Sequence, residues 1–189
     1  GALCLVVAGV FAPAVGHAFI TYDDPAYVTG NAHVQAGLTW NSVRWAFSSI
    51  EEMNWHPLTW LSHMLDRELF GPEPWGHHLT NVLLHALNAV LLFFLLRRAT
   101  GSVWRSLFVA ALFGLHPLRV ESVAWVSERK DVLSTFFGLL SLLAYVDWVR
   151  RGARGVWGYA GALVALAAGL MAKPMIVTFP CVMLLLDYW

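Results

Sequence analysis

The residues with the clearest chemical potential are Asp23 and Asp24, in the run Phe19-Ile20-Thr21-Tyr22-Asp23-Asp24-Pro25. Adjacent carboxylates at the edge of a low-dielectric region suit a base acting on a hydroxyl. Together they also offer oxygen ligands to a divalent cation. The plainer reading is a solvated helix cap, with Pro25 opening the next turn.

The densest charged run is His116-Pro117 through Asp131. If it is helical after Pro117, Glu121, Trp125 and Glu128 share one face at spacings of four and three. Arg119, Arg129 and Lys130 have the chemistry of a phosphate clamp. Lys173, before Pro174, adds another cation. Ordinary solvated loop charge is the competing reading. The histidines form a third signal: His56 and His63 lie seven apart, and His77-His78 open an apolar run. His78, Asn81, His85 and Asn88 follow at intervals of three, four and three, which places them on one helix face. Lipid cannot satisfy such groups, so the stripe faces other helices or a cavity. No HExxH or close Cys/His set supports zinc.

Long apolar segments must position these groups. Apolar residues make up 58% of the 189-residue chain and charged residues 13%, about half the usual charged share, which points to a membrane protein. Zero net charge speaks against nucleic-acid binding. Cys4 and Cys181 sit in apolar runs as small packing residues rather than a disulfide or metal pair. A span needs about 20 apolar residues. The candidates are residues 2–20, 79–96, 103–115, 132–149, 156–172 and 175–188, six in all. Arg97, Arg98 and Arg105 separate the second and third, and Arg150, Arg151 and Arg154 separate the fourth and fifth. These connections hold half of the twelve basic residues and no acid, so they face the cytoplasm. Alternation then gathers residues 21–76, residues 116–131 and Lys173-Pro174 on the outer face.

The predicted fold is all-α: a polytopic membrane helix bundle forming a single membrane domain over 1–189. Its outer loop 21–76 is too long to be unstructured. Residues 43–47 and 55–69 suit interfacial helices carrying Trp45, Phe47, Trp55 and Trp60, as an anchor or as the floor of a groove. The start at Gly1 without methionine and the stop at Trp189 fit a fragment of a longer protein.

Five motifs in order carry a family resemblance: Tyr22-Asp23-Asp24; the run from Asn54-Trp55-His56-Pro57 to His63-Met64-Leu65-Asp66; Gly76-His77-His78-Leu79-Thr80-Asn81; His116-Pro117 to Asp131; and Lys173-Pro174-Met175. Over essentially the whole chain the sequence resembles bacterial relatives of the transmembrane and tetratricopeptide-repeat O-mannosyltransferases, which are similar to GT-C glycosyltransferases. The resemblance implies a polyprenyl- or dolichyl-phosphate-linked sugar as donor and a protein or other hydroxyl as acceptor. It makes Asp23 or Asp24 the catalytic base, or the holder of a divalent cation such as magnesium or manganese. It maps a charged functional segment onto Glu121, Glu128, Arg129, Lys130 and Asp131, with His56, His78, Arg119 and Lys173 as further substrate- or phosphate-binding candidates. The location implied is a bacterial cytoplasmic membrane, with the site facing the periplasm. A transporter or lipid-carrier flippase, or a non-catalytic membrane scaffold, are the competing readings.

Overall fold

Proline and charge, more than hydropathy, set where the helices begin and end. The computed structural model describes residues 1–188, which form helices and connecting turns with no strand among the described residues. Helix α1 (Ala2–Phe11) gives way to a 3-10 turn, Ala12–Gly16, at Pro13. Residues 17–20 then leave helical geometry, so the predicted first span is cut short. Residues 21–76 are structured, as the length of that stretch requires: α2 (Ala32–Gln35), α3 (Trp40–Ser48) and α4 (Pro57–Phe70) fill it. Asn31 caps α2 and Thr39 caps α3 by accepting first-turn amide hydrogens.

Helix α5 (Pro74–Thr100) starts at a proline, where no amide hydrogen is wasted, and stops at Gly101 in the left-handed conformation. Helix α6 (Val103–Leu115) returns, and the short α7 (Arg119–Ala124) follows. Trp125 is extended (ψ 121°), and a 3-10 turn, Val126–Glu128, leads into α8 (Arg129–Arg150). Helix α9 (Val156–Leu170), a 3-10 turn (Pro174–Thr178) and α10 (Phe179–Tyr188) complete the described chain. Pro180 sits in the first turn of α10, where it is tolerated, rather than interrupting a span.

Two segments are long and apolar enough to cross a membrane, Pro74–Thr100 and Val126–Arg150. At 1.5 Å per residue the 27-residue α5 is roughly 40 Å long, against a hydrocarbon core of about 30 Å. The other four apolar segments are shorter helices: Ala2–Gly16, Val103–Leu115, Val156–Leu170 and Pro174–Tyr188. Helices α5 and α8 are parallel neighbours. Arg129 at the start of α8 bonds the His77 carbonyl near the start of α5, and Asp147 near the end of α8 pairs with Arg98 near the end of α5. Helix α6 runs back between these two ends, allowing close approach at Gly114, where an added Cβ would lie 2.7 Å from Val7 and 3.0 Å from Ala89.

The side-chain distribution is inverted relative to a water-soluble helix. On α5, His77, His78, Asn81, His85 and Asn88 are at most 2% exposed, whereas Leu83, Leu87 and Phe94 are 48%, 44% and 42% exposed. The polar stripe is satisfied in part across helices: His85 Nε2 donates to the Gly114 carbonyl (3.0 Å) and Asn88 Nδ2 to the Val132 carbonyl (2.8 Å), while both ring nitrogens of His78 are buried without a partner among the described residues. Apolar side chains outward and polar groups inward is the arrangement a bilayer favours.

Candidate functional site

The three polar stretches meet at the end where α5 and α8 begin. Asp24 is buried and has both oxygens engaged. Its Oδ1 accepts from the Ser127 amide (3.0 Å) and hydroxyl (2.9 Å), and its Oδ2 accepts from the Ile20 amide (2.9 Å). The carboxylate therefore ties the start of the outer loop to the turn preceding α8. Asp23 is half-buried, and its carboxylate accepts no hydrogen bond among the described residues. The adjacent acids thus differ in their surroundings: the Asp24 carboxylate accepts three hydrogen bonds and that of Asp23 none among the described residues. As a cation site the pair fits poorly, because N–H and O–H donors already occupy Asp24.

Arg129 is the hub of the second layer and is fully buried. Its Nη2 donates to Asp66 Oδ2 and to the His77 carbonyl, each at 2.7 Å. Its Nη1 donates to Ser62 Oγ at 2.6 Å, and its Nε donates to Asn81 Oδ1. Asn81 in turn donates to the Trp125 carbonyl at 3.1 Å, and Thr80 Oγ1 donates to Asp66 Oδ1 at 2.8 Å. Burial alone would raise Asp66, but Arg129 and the bonds from His77 and Thr80 hold it below the usual carboxylate range. Arg129 is therefore not a phosphate clamp: it joins α4, α5 and α8, with no face left for a ligand.

His63, Asp66 and His77 place one potential ligand atom each within 4.8 Å of the others. His63 Nδ1 lies 3.2 Å from His77 Nδ1, which lies 3.3 Å from Asp66 Oδ2. The guanidinium of Arg129 already neutralises Asp66, so a dication here would place more positive charge in a buried site with one acid. The set fits a hydrogen-bonded cluster better than a metal centre. Burial, with Arg129 and the other nearby cationic groups, pushes His63 far below its ordinary value, so it is neutral near pH 7.

A third layer is half-buried and ionic. Lys130 Nζ lies 2.9 Å from Glu128 Oε1, donates to the Ser127 carbonyl (3.2 Å) and sits 4.7 Å above the Tyr27 ring. Lys173 bridges Glu128 (3.5 Å) and Asp131, whose other oxygen accepts from Ser122 Oγ (3.1 Å). Burial, then Glu52, Asp23 and Glu128, raise the Tyr27 phenol above its ordinary value and keep it protonated. Arg119 lies 4.4 Å over the Phe113 ring and, with Ser122 and Asp131, borders a cavity of about 320 Å³. That cavity reaches His85 and Asn88 between the helices.

Other predicted site residues lie elsewhere. Glu121 is exposed and shares no face with Glu128, because the extended Trp125 breaks the helix on which that spacing depended. His56 is buried between Tyr27 (ring centroids 5.5 Å) and Trp60 (4.8 Å), inside a wall rather than on a groove. Burial, then Lys130, lowers it to about 4. His78 is also buried, 6.1 Å from the His17 ring. Asp66, Ser62, Thr59 and Ser127 lie within the runs that carry the family resemblance, but the sequence alone assigned them no role. Thr59, Ser62, His63 and Asp66 form a polar stripe on α4, and that stripe was the available signal. It turns inward, with Thr59 Oγ1 donating to the Ala172 carbonyl (3.0 Å) and the Leu58 amide to the Met171 carbonyl (3.1 Å).

Fold and site together define an all-helical class of protein: helices of bilayer-spanning length with a layered, charged and hydrogen-bonded centre at one end. The particular relatives are consistent with one another. The chain is 33% identical, over 97% of its length, to protein O-mannosyl-transferase Tmtc2 of Drosophila melanogaster. It is 34% identical over 66% of its length to protein O-mannosyl-transferase tmtc2 of Xenopus laevis, and 35% identical over 66% to protein O-mannosyl-transferase Tmtc1 of Drosophila melanogaster. The chain spans 21%, 16% and 14% of these relatives, respectively. No family model and no solved structure matches it.

Proposed function

We propose that this chain is the catalytic-end portion of a membrane glycosyltransferase of the protein O-mannosyltransferase kind, moving a sugar from a polyprenyl-phosphate carrier to a Ser or Thr hydroxyl. The observation that carries this reading is the similarity, over nearly the whole chain, to a protein named an O-mannosyl-transferase. The geometry supports it by leaving one carboxylate, Asp23, without a hydrogen bond among the described residues and within electrostatic reach of Tyr27, over whose ring Lys130 sits.

In this reaction the acceptor oxygen forms a bond to the anomeric carbon as the bond from that carbon to the carrier phosphate oxygen breaks. Asp23 takes the hydroxyl proton, and the polyprenyl phosphate leaves with the bonding pair. Lys130 and Lys173, held by Glu128 and Asp131, and Arg119 at the cavity mouth are the cations nearest to hand for the departing charge. Asp24 is a positioning residue, fixing the loop that carries Asp23 against Ser127. The four shorter apolar helices cross the bilayer with α5 and α8. The basic ends of α5 and α8 lie on the cytoplasmic side, and the site lies on the outer side of a bacterial cytoplasmic membrane.

The test is sugar transfer by full-length protein in lipid, with Asp23→Asn and Asp24→Asn made separately. Asp23→Asn is expected to lower kcat about 10²- to 10⁴-fold while leaving Tm unchanged. Asp24→Asn is expected to lower Tm along with activity. Full transfer by Asp23→Asn overturns its assignment as base. Wild-type protein that transfers from no polyprenyl-phosphate sugar overturns the donor class.

A further inference from the structure

The opposite end of the α5–α8 pair holds a cavity that sugar transfer does not use. It has a volume of about 710 Å³ and lies where α5 ends, α6 begins, and α8 and α10 end. Arg98, Arg105 and Arg150 line it together with Ser102, Tyr145 and Asp187, and Val146, Val149 and Leu186 supply an apolar wall.

The charge inventory leaves a positive excess. The Tyr145 hydroxyl already donates to Asp187, the acid lining the cavity. Arg98 is paired with Asp147, and Arg150 donates to the Arg98 carbonyl at the end of α5. Those two arginines also suit the partial negative charge of helix C-termini, which accounts for them without any ligand. Arg105, which is exposed, has no helix C-terminus to complement. It stands in the first turn of α6, where the helix dipole disfavours a cation, and no side chain caps that helix. It makes no ion pair among the described residues. An anion in the cavity would accept from the guanidinium groups and compensate the helix start.

The surroundings select the kind of anion. Just past the cavity, α6 presents Trp104 (80% exposed) and Phe108 (70%), and α10 presents Leu184 and Leu185 (69% and 67%). An exposed tryptophan beside arginines, followed by exposed aliphatic residues, is the profile of a membrane interface. A free phosphate would use the arginines but not this apolar flank.

We propose that this cavity binds the headgroup of an anionic phospholipid, with the phosphate between Arg98, Arg105 and Arg150 and the acyl chains along the exposed apolar side of α6 and α10. The site rests on the membrane reading of the chain and not on sugar transfer. Basic pockets between membrane helices on the cytoplasmic side recognise anionic headgroups through the same forces.

The test uses delipidated full-length protein titrated with phosphatidylglycerol or phosphatidylcholine, with bound lipid counted by native mass spectrometry. Wild-type protein is expected to take up phosphatidylglycerol saturably and in preference to phosphatidylcholine. Arg105→Gln and Arg150→Gln are each expected to weaken phosphatidylglycerol binding about fivefold and to leave phosphatidylcholine binding unchanged. Millimolar inorganic phosphate is expected not to displace the lipid. Equal uptake of the two lipids by wild-type protein overturns the proposal without recourse to any variant, and is the result expected if another part of the full-length chain fills the cavity. Unchanged phosphatidylglycerol affinity in both variants overturns it as well. Full displacement by phosphate would show a free-anion site instead. Transfer activity, measured separately in phosphatidylcholine, distinguishes failure here from failure of the glycosyltransferase reading.

Discussion

The two ends of the α5–α8 pair contain similar charged residues used in opposite ways. Where the helices start, an arginine is fully buried and bonded to Asp66, Ser62, Asn81 and the His77 carbonyl. Where they end, arginines line an open cavity and their one ion pair among the described residues, Arg98–Asp147, is partly exposed. A buried charge left without its partner is costly, whereas an exposed pair contributes little. The first end is therefore built to hold a geometry, and the second to remain available to a ligand.

The sharpest way to break this comparison is at Asp23, where Asp23→Asn is expected to remove about 10²- to 10⁴-fold of transfer with no loss of stability. Next is the buried pair. Arg129→Met leaves Asp66 uncompensated, at a cost of about 3–5 kcal/mol, which lowers Tm on the order of 10 °C. The double variant Arg129→Met/Asp66→Leu should recover part of that loss, and thermal unfolding in one lipid or detergent checks both. If the single variant melts like wild type, the buried end is not the structural one.

Acid should also discriminate between the ends. The folded state lowers His56 to about 4 and His63 well below its ordinary 6.5, so below pH 6.5 the unfolded chain binds more protons than the folded one. The stability from these histidines is complete above pH 6.5 and is lost as pH falls from there toward 4. Tm should drop by at least about 3 °C over that window, and less in His63→Gln. Ser127→Ala, which removes one of three bonds to Asp24 while leaving the amide, should cost about 1 kcal/mol. The smallest effect belongs to the other end, where Arg98→Ala should change stability by less than about 1 kcal/mol. A larger loss there would show that both ends are structural.

The acidic pair, the α5 stripe and the charged segment could be found from residue type and spacing alone. The division of labour inside each could not. Nothing in the dipeptide distinguishes Asp23 from Asp24, because the distinction comes from Ser127, 103 positions away. Similarly, the expected face shared by Glu121 and Glu128 assumed a continuous helix, which the turn through Trp125 breaks. Asp66 read as one polar residue of an amphipathic helix, and its importance appears only when Arg129 is buried against it.

Local chemistry written in the sequence determined the all-helical character, the two long apolar helices, the structured 21–76 segment and the separation of basic from mixed-charge connections. Hydrophobic runs, prolines and charge bias act over a few residues and leave their mark in order. Tertiary structure alone decided which carboxylate is free, which arginine is structural and which cavity remains open. Those outcomes depend on the desolvation and pairing of groups that the sequence keeps 48 to 103 residues apart.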